Sequence, residues 1–314
     1  MQKQTSHPAL RKIAIVIPVY NRRDTTLQGL RSLARIDRSG LEVHVVVVDD
    51  ASPDGTAAAI AEQFPDVHLV LGDGDLHYAA GTNRGIETAL QFDPEFILTA
   101  NDDAVFHHQF LKRMIETADK DPRSIVGALL LLWDQPHKVF QVGQRWETLK
   151  GGWVMPEDLT AFNVPQSAFG VECIVGNCVL FPVAAIRENG LMDERRFPHG
   201  WGDAQYLMRM RKAGWRLMIE PKAFVWCEPN TYPAPLHSLG LRRTIEVLFK
   251  DEKHPLNLRR QFIARWESAP SRMKAMAAYF CYLFLIFKKA VKYSINRPSP
   301  NGLNRHRTES PSGI

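Results

Sequence analysis

Over its first 130 residues the chain repeats one unit: a short apolar run, a polar break, then apolar residues at helical spacing. The apolar runs cover residues 12–19, 43–48, 67–71, 95–100 and 124–132, and the stretches 25–35, 57–64, 79–92 and 107–118 between them read as helices. Unbroken apolar runs of this length suit strands covered on both faces. Their alternation with helices through short connections builds an α/β fold around a mostly parallel sheet. Right-handed crossovers bring the strand C-termini to one edge, where such sheets bind ligands. Three polar clusters fall there: Tyr20-Asn21-Arg22, Asp49-Asp50-Ala51-Ser52 and Asn101-Asp102-Asp103. One such cluster is an ordinary turn, whereas three at successive strand ends make a site.

The alternation lapses over residues 135–169, which are rich in Gly, Trp and Pro and read as hairpins or a flap. It returns with a strand-like run at 173–181, interrupted by Gly176-Asn177, and a short helix at 184–189. A loop through 197–202, a helix at 203–213 and short strands at 216–219 and 223–226 follow. From His237 onward the pattern is helical, over 239–249, 256–266 and 272–294, and beyond Asn296 the composition is that of a disordered end.

Charge separates the two parts. The net +5 of the 314 residues conceals a tail from His237 with 15 Lys/Arg against 5 Asp/Glu, while the preceding 236 residues carry 24 against 29. A basic tail on a mildly acidic body argues for contact with an anionic surface. Within it, residues 275–287 are thirteen positions without a charge, followed by Lys288, Lys289 and Lys292. As a helix this segment is ~20 Å long, short of the ~30 Å hydrocarbon core. It reads as a peripheral membrane helix, with Tyr279, Tyr282 and Tyr293 at the interface, or as a helix packed on the body or in a dimer. No secretory signal and no run of about 18 apolar residues is present, so the expected location is cytoplasmic, and peripheral on the inner face of the cell membrane if the helix meets lipid. The four cysteines lack disulfide-scaffold or zinc-finger spacing and read as free buried thiols.

The acidic pairs carry the chemistry. Adjacent carboxylates such as Asp102-Asp103 repel unless a cation or a donor-rich ligand balances them, and one or two carboxylates are how Mg²⁺ or Mn²⁺ is held against substrate phosphates. The alternative is an Asx turn capping the next helix. Asp49-Asp50 is placed to accept from a nucleobase or hold a ribose hydroxyl. Asp203, at the start of a helix after His199-Gly200-Trp201-Gly202, reads either as a helix cap or as a general base for an acceptor hydroxyl. Phe197, His199, Trp201, Trp146 and Trp153 suit stacking on a sugar or packing in the core. A Gly-Lys-Ser/Thr loop is absent and Gly72-x-Gly74 lacks dinucleotide-fingerprint spacing, which disfavours P-loop phosphotransfer and hydride transfer.

Taken in order, 17–22, 48–56, Gly81-Thr82-Asn83-Arg84-Gly85, Asn101-Asp102-Asp103, Gly176-Asn177, 190–194, Trp201-Gly202-Asp203 and Arg209 resemble the inverting family 2 glycosyltransferases of GT-A fold, in their bacterial rhamnosyltransferase-like branch. The resemblance runs from about Ile13 to Glu228. It implies a catalytic domain over 1–236, with nucleotide-sugar binding about 11–132 and the acceptor and catalytic part about 133–236. A helical basic extension over 237–295 and the tail 296–314 complete the chain. It further implies a UDP- or dTDP-sugar donor, a glycan or lipid-linked acceptor and a Mn²⁺ or Mg²⁺ cofactor. Pro18, Tyr20, Asn21, Arg22, Asp49, Asp50, Asn83, Arg84, Asn101 and Asp102 would contact the donor, and Asp103, with Asp102, the metal. Asp203 would be the base, and His199, Trp201, Gly202 and Trp153 would meet the acceptor. Two positions depart from the family pattern. Gly202 stands where an acidic residue is common, and Cys227, followed by Glu228, where many members have a histidine near the metal. A catalytically inactive GT-A protein that binds carbohydrate or nucleotide, or serves as a scaffold, is the competing reading; a homodimer is a further expectation, and nucleic acid is not an expected partner.

Overall fold

The computed structural model describes residues 9–174, 176–198, 200–229, 239, 241–251, 254 and 256–295. The chain opens with β1 (Arg11–Val19), α1 (Arg23–Leu33), β2 (Leu41–Asp49), α2 (Thr56–Gln63), β3 (His68–Leu71), α3 (His77–Ala89) and β4 (Phe96–Ala100). After β5 (Val105–Phe106) come α4 (Phe110–Asp119) and β6 (Ser124–Leu132). The middle segment holds short strands β7 (Val139–Gln141), β8 (Arg145–Glu147), β9 (Gly152–Val154) and β10 (Phe169–Gly170). Then follow β11 (Cys178–Pro182), α5 (Val183–Asn189), α6 (Gly202–Lys212) and β12 (Arg216–Cys227).

Successive side chains of a strand point to opposite faces, and β1 uses both. Ile13, Ile15 and Ile17 join a core under α1 and α4 with Leu27, Leu30, Phe110 and Met114. Ala14 and Val16 join a second core under α3 and α6 with Ala79, Ile86, Tyr206 and Met210. Two apolar cores on one sheet are what unbroken apolar strands require.

The strand order is β10-β12-β6-β11-β4-β1-β2-β3. β3, β2, β1 and β4 are parallel, as the alternation led one to expect, but the sheet is mixed. The fifth run, β6, does not lie beside β4; β11 separates them, antiparallel to both. An apolar run carries no information about direction or neighbours, so the sequence could not show this. The consequence is functional: antiparallel β11 brings its N-terminal end, preceded by Gly176-Asn177, to the C-terminal end of β4. Cys178 stands opposite Ala100 and the Asn101 amide donates to the Asn177 carbonyl at 3.0 Å.

The two late short strands are one, β12, with a register shift between Glu220 and Phe224. Its last turn of strand pairs with β5, Trp226 opposite Val105, which sets Cys227-Glu228 beside Asp103-Ala104.

The C-terminal part comprises α7 (Leu241–Ile245) running into a π-helical turn at Glu246–Lys250, then α8 (Leu258–Ser268) and α9 (Arg272–Ile295). These helices dock on the α/β body. Arg196 pairs with Glu267 of α8 at 3.2 Å, and Arg260 of α8 donates to the Gly200 carbonyl at 3.3 Å. The expected disordered end, 296–314, lies outside the described residues.

Candidate active site

A cavity of about 540 Å³ opens at the C-terminal ends of β1 and β2 and is lined by Pro18, Val19, Tyr20, Arg22, Val48, Asp50, Gly74, His77, Tyr78, Gly81 and Asp102. Five of the residues expected to meet a donor therefore share one wall: Pro18, Tyr20, Arg22, Asp50 and Asp102.

Asp50 shapes this cavity as well as lining it. Its carboxylate accepts the amides of Gly74 (2.8 Å), Leu76 (3.0 Å) and His77 (3.2 Å), folding the 72–77 loop over the strand ends and into α3. A Cβ at Gly72 would lie 2.6 Å from the Asp50 carboxylate, so the glycines dismissed as a fingerprint fit around an aspartate. Asp49 points elsewhere: it is buried and accepts the Ser52 hydroxyl, which itself takes the Asn21 amide at 2.8 Å. Asp49 and the exposed Asn21 thus tie β1 to β2 and do not line this cavity.

The Gly81–Gly85 segment lies within α3 and packs that helix on β1. A Cβ at Gly85 would lie 2.3 Å from Val16, and one at Gly81 3.2 Å from Pro18, so the two glycines let α3 sit tightly on β1. Asn83 is buried and forms a reciprocal pair with the Met192 backbone at 2.9 Å while donating to Glu194 at 2.7 Å. Arg84 is exposed and reaches the Leu71 carbonyl. Neither side chain lines the cavity. A polar residue between glycines on a helix looks alike whether it binds a ligand or pins a loop.

At the ends of β4 and β12 lies the acidic cluster. Arg22 pairs with Asp102 at 3.2 Å and with Glu228, bridging three strand ends. Burial pushes the Asp102 carboxyl up to about 7; Arg22 opposes this, while Asp103 and Glu228 add to it. Burial raises Asp103 as well, and its Oδ1 is a buried acceptor with no hydrogen-bond partner among the described residues. An orphaned carboxylate oxygen beside a carboxyl raised by burial is a donor set suited to a hard divalent cation. Among the described residues no group of three or more His, Cys, Asp or Glu is placed to hold a metal, so the set fits an ion that takes most of its ligands from phosphate oxygens and water. Cys227, at the position of the usual histidine, is buried, and burial, with Asp103 adding, drives its thiol well above its ordinary range.

Asp203, the second residue of α6, accepts the Gly176 amide at 2.8 Å. A Cβ at 176 would come within 2.4 Å of the Asp203 Cβ, so only glycine lets the loop approach. The Gly176 carbonyl takes the Tyr78 hydroxyl at 3.4 Å, and Tyr78 lines the cavity. Burial, and then the Asp203 carboxylate, hold the Tyr78 phenol above its ordinary range. The expected base and the donor cavity are thus one tyrosine apart, and Asn177 connects the same loop to Asn101.

The acceptor residues divide. Trp201 takes a left-handed conformation (φ 63°) as the residue before α6. Gly202 is buried, and a Cβ there would sit tightly, 3.1 Å from the Phe197 carbonyl. Trp153 stacks edge-on against Trp146 and donates to Ser268 of α8 at 3.0 Å; it holds the C-terminal helices and does not line the cavity. His199 lies outside the described residues. The residues that sequence reasoning passed over are His77 and Tyr78, which carry no motif and reach the cavity only because Asp50 starts α3 there.

Residues 14–188, more than half of the chain, match the family model described as Glycosyl transferase family 2. The N-acetylglucosaminyl-diphospho-decaprenol L-rhamnosyltransferase of Mycobacterium tuberculosis is 26% identical over 278 residues, covering 81% of this chain and 87% of that protein. The succinoglycan biosynthesis protein ExoO of Rhizobium meliloti is 34% identical over 116 residues, 36% of this chain and 32% of that one. Among solved structures, GalNAc-T7 with UDP, GalNAc and Mn²⁺ superposes with a TM-score of 0.60 at 13% identity, over 91% of this chain and 58% of the other. The S. aureus TarS 1–349 complex with UDP superposes at 0.52 and 15% identity, over 92% and 76%. These likenesses carry the GT-A architecture, and with the matched family model they make the chain a member of glycosyltransferase family 2, a nucleotide-sugar-dependent transferase.

Proposed function

We propose that the protein is an inverting glycosyltransferase that moves a hexose or deoxyhexose, rhamnose foremost, from a UDP- or dTDP-sugar to a hydroxyl of a glycan or lipid-linked saccharide in polysaccharide biosynthesis. The carrying observation is the convergence of Asp50, Asp102 and Tyr78 on one cavity, with Asp203 behind Tyr78 on the Gly176 amide. The name of the mycobacterial relative, a rhamnosyl transfer to a decaprenol-linked amino sugar, supports the donor and acceptor classes.

In this reading the base and ribose occupy the cavity between Pro18, Tyr20 and Asp50. The diphosphate lies toward Asp102, Asp103 and Arg22. A divalent ion, Mn²⁺ or Mg²⁺ held by Asp103 and Asp102, would neutralise charge growing on the leaving diphosphate. Arg22 is poised for the same region. Its guanidinium, now held by Asp102 and Glu228, presents a fork suited to phosphate oxygens. Glu228 is the residue from which Arg22 would be drawn. Asp203 accepts the proton of the acceptor hydroxyl as it attacks the anomeric carbon opposite the diphosphate, and the Gly176 amide keeps the carboxylate aimed.

The test is turnover of a panel of UDP-, dTDP- and GDP-sugars with a lipid-linked acceptor, reading the product anomer by NMR. An inverted anomer from wild type, and none from Asp203→Asn at unchanged donor affinity, supports the reading. A retained anomer, or an Asp203→Asn variant as active as wild type, defeats it. Donor binding without any turnover by wild type would favour the inactive binding protein.

A further inference from the structure

Helix α9 turns the wrong residues outward for a soluble surface. Met273 is 84% exposed, Met276 36%, Phe280 61%, Phe284 64% and Phe287 66%. The spacings of 3, 4, 4 and 3 residues keep all five on one arc of a 3.6-residue helix. The opposite arc is fixed to the body. Ala275 and Ala278 are buried, the Tyr279 hydroxyl donates to the Leu258 carbonyl at 3.2 Å, and the Tyr282 ring lies under the Arg265 guanidinium at 4.0 Å. Two of the three tyrosines expected at a membrane interface, Tyr279 and Tyr282, thus face inward. The exposed face is methionine and phenylalanine.

Charge identifies what covers it. α9 contains no acidic residue, and Lys274 and Lys288 are exposed beside the stripe. A second copy paired face to face on a two-fold axis would set lysines against lysines with no carboxylate on the helix to answer them. An anionic lipid surface answers both parts at once, taking the phenylalanines below its headgroups and the lysines among them. No helix among the described residues is long and apolar enough to cross a membrane, which agrees with a helix lying in the interface plane.

We infer that the Met273-Met276-Phe280-Phe284-Phe287 face of α9 docks the protein on an anionic bilayer, with α9 parallel to the membrane. The position has a purpose for transfer. α9 sits on α8, and α8 holds the loop before Asp203 through Arg260 and the Gly200 carbonyl, so the docking helix is one helix removed from the acceptor side. The inference stands on α9 itself and does not require the transfer reaction.

The test is flotation of the full chain with vesicles of phosphatidylcholine alone and of phosphatidylcholine with an equal part of phosphatidylglycerol. Wild type is expected to float with the anionic vesicles and at least ~10-fold less with the neutral ones. Phe280→Asp/Phe284→Asp should lose most of that binding with an unchanged thermal midpoint, since both side chains already face solvent. Lys274→Glu/Lys288→Glu should lose the preference for phosphatidylglycerol. The inference is overturned if wild type stays in the soluble fraction with both vesicles, or if the phenylalanine variant floats like wild type. It is also overturned if the chain is a dimer that this variant splits and neither form floats. Asp203→Asn should float as wild type does, so loss of transfer and loss of docking are read separately.

Discussion

Asp203 is held by one amide and one missing Cβ. Gly176 supplies both, donating its N–H and leaving the space into which the carboxylate fits. Replacing the proposed base, Asp203→Asn, should lower kcat by about 10²–10⁴ with the donor Kd little changed, the range expected for a positioned general base. Gly176→Ala tests the support: the methyl must displace Asp203, so kcat should fall at least ~10-fold. The thermal midpoint should also drop, in keeping with an overpacking cost of about 1–3 kcal/mol. An alanine variant with wild-type kcat would show that the loop carries no burden in catalysis. In the sequence Gly176 stood out as a break in a strand and as part of the Gly176-Asn177 segment of the family resemblance, with no sign of its partner. Its role depends on the direction of β11, which no local pattern reveals. Asp50 and Asp102 were legible because acidic residues after apolar runs are costly without a purpose. Asn83, equally conspicuous, proved to be a pin for the Met192 loop.

At the level of elements, the segment after β2 shows how a binding motif is also a folding device. Asp54 accepts the Arg23 amide at 2.9 Å and the Thr56 amide at 3.1 Å, so one side chain caps the first residues of both α1 and α2. Burial pushes its carboxyl up. The Thr56 hydroxyl and the Arg23 and Thr56 amides more than offset that and hold it below the ordinary carboxylate range. A folded-state value below the unfolded one means the stabilisation is complete above the unfolded value and is lost as pH falls through the folded one. Asp54→Ala should cost about 1–2 kcal/mol at neutral pH, a typical loss for a helix cap. Urea midpoints should show the gap between wild type and variant closing below about pH 4, where free aspartate titrates. A gap independent of pH would mean that the charge of Asp54 contributes nothing. Helix and strand periods made these elements legible to within a few residues. The single strand β12 escaped because Pro221 and its neighbours interrupt the apolar pattern where the register shifts.

For the whole molecule, the distribution of charge and the exposed stripe of α9 are the basis of the inferred docking, in which the body takes donor at the strand ends and rests on lipid through its basic tail. The amount of charge was readable from the sequence; the identity of the outward face was not, because a run of thirteen uncharged residues has no visible sides until half of them find partners. The sheet has the same lesson at larger scale. Its parallel half followed from alternation, while the antiparallel β11 and the β5–β12 pair gather Gly176, Asp103 and Glu228 from 125 positions of chain onto one rim. Whether that rim grips a diphosphate is measured most directly by calorimetric titration of UDP, with and without Mn²⁺, into wild type and Asp103→Asn. The predicted result is wild-type binding at least ~10-fold tighter with Mn²⁺, a gain that Asp103→Asn abolishes. Equal affinity in all four titrations, or none in any together with none for dTDP and GDP, would contradict the site.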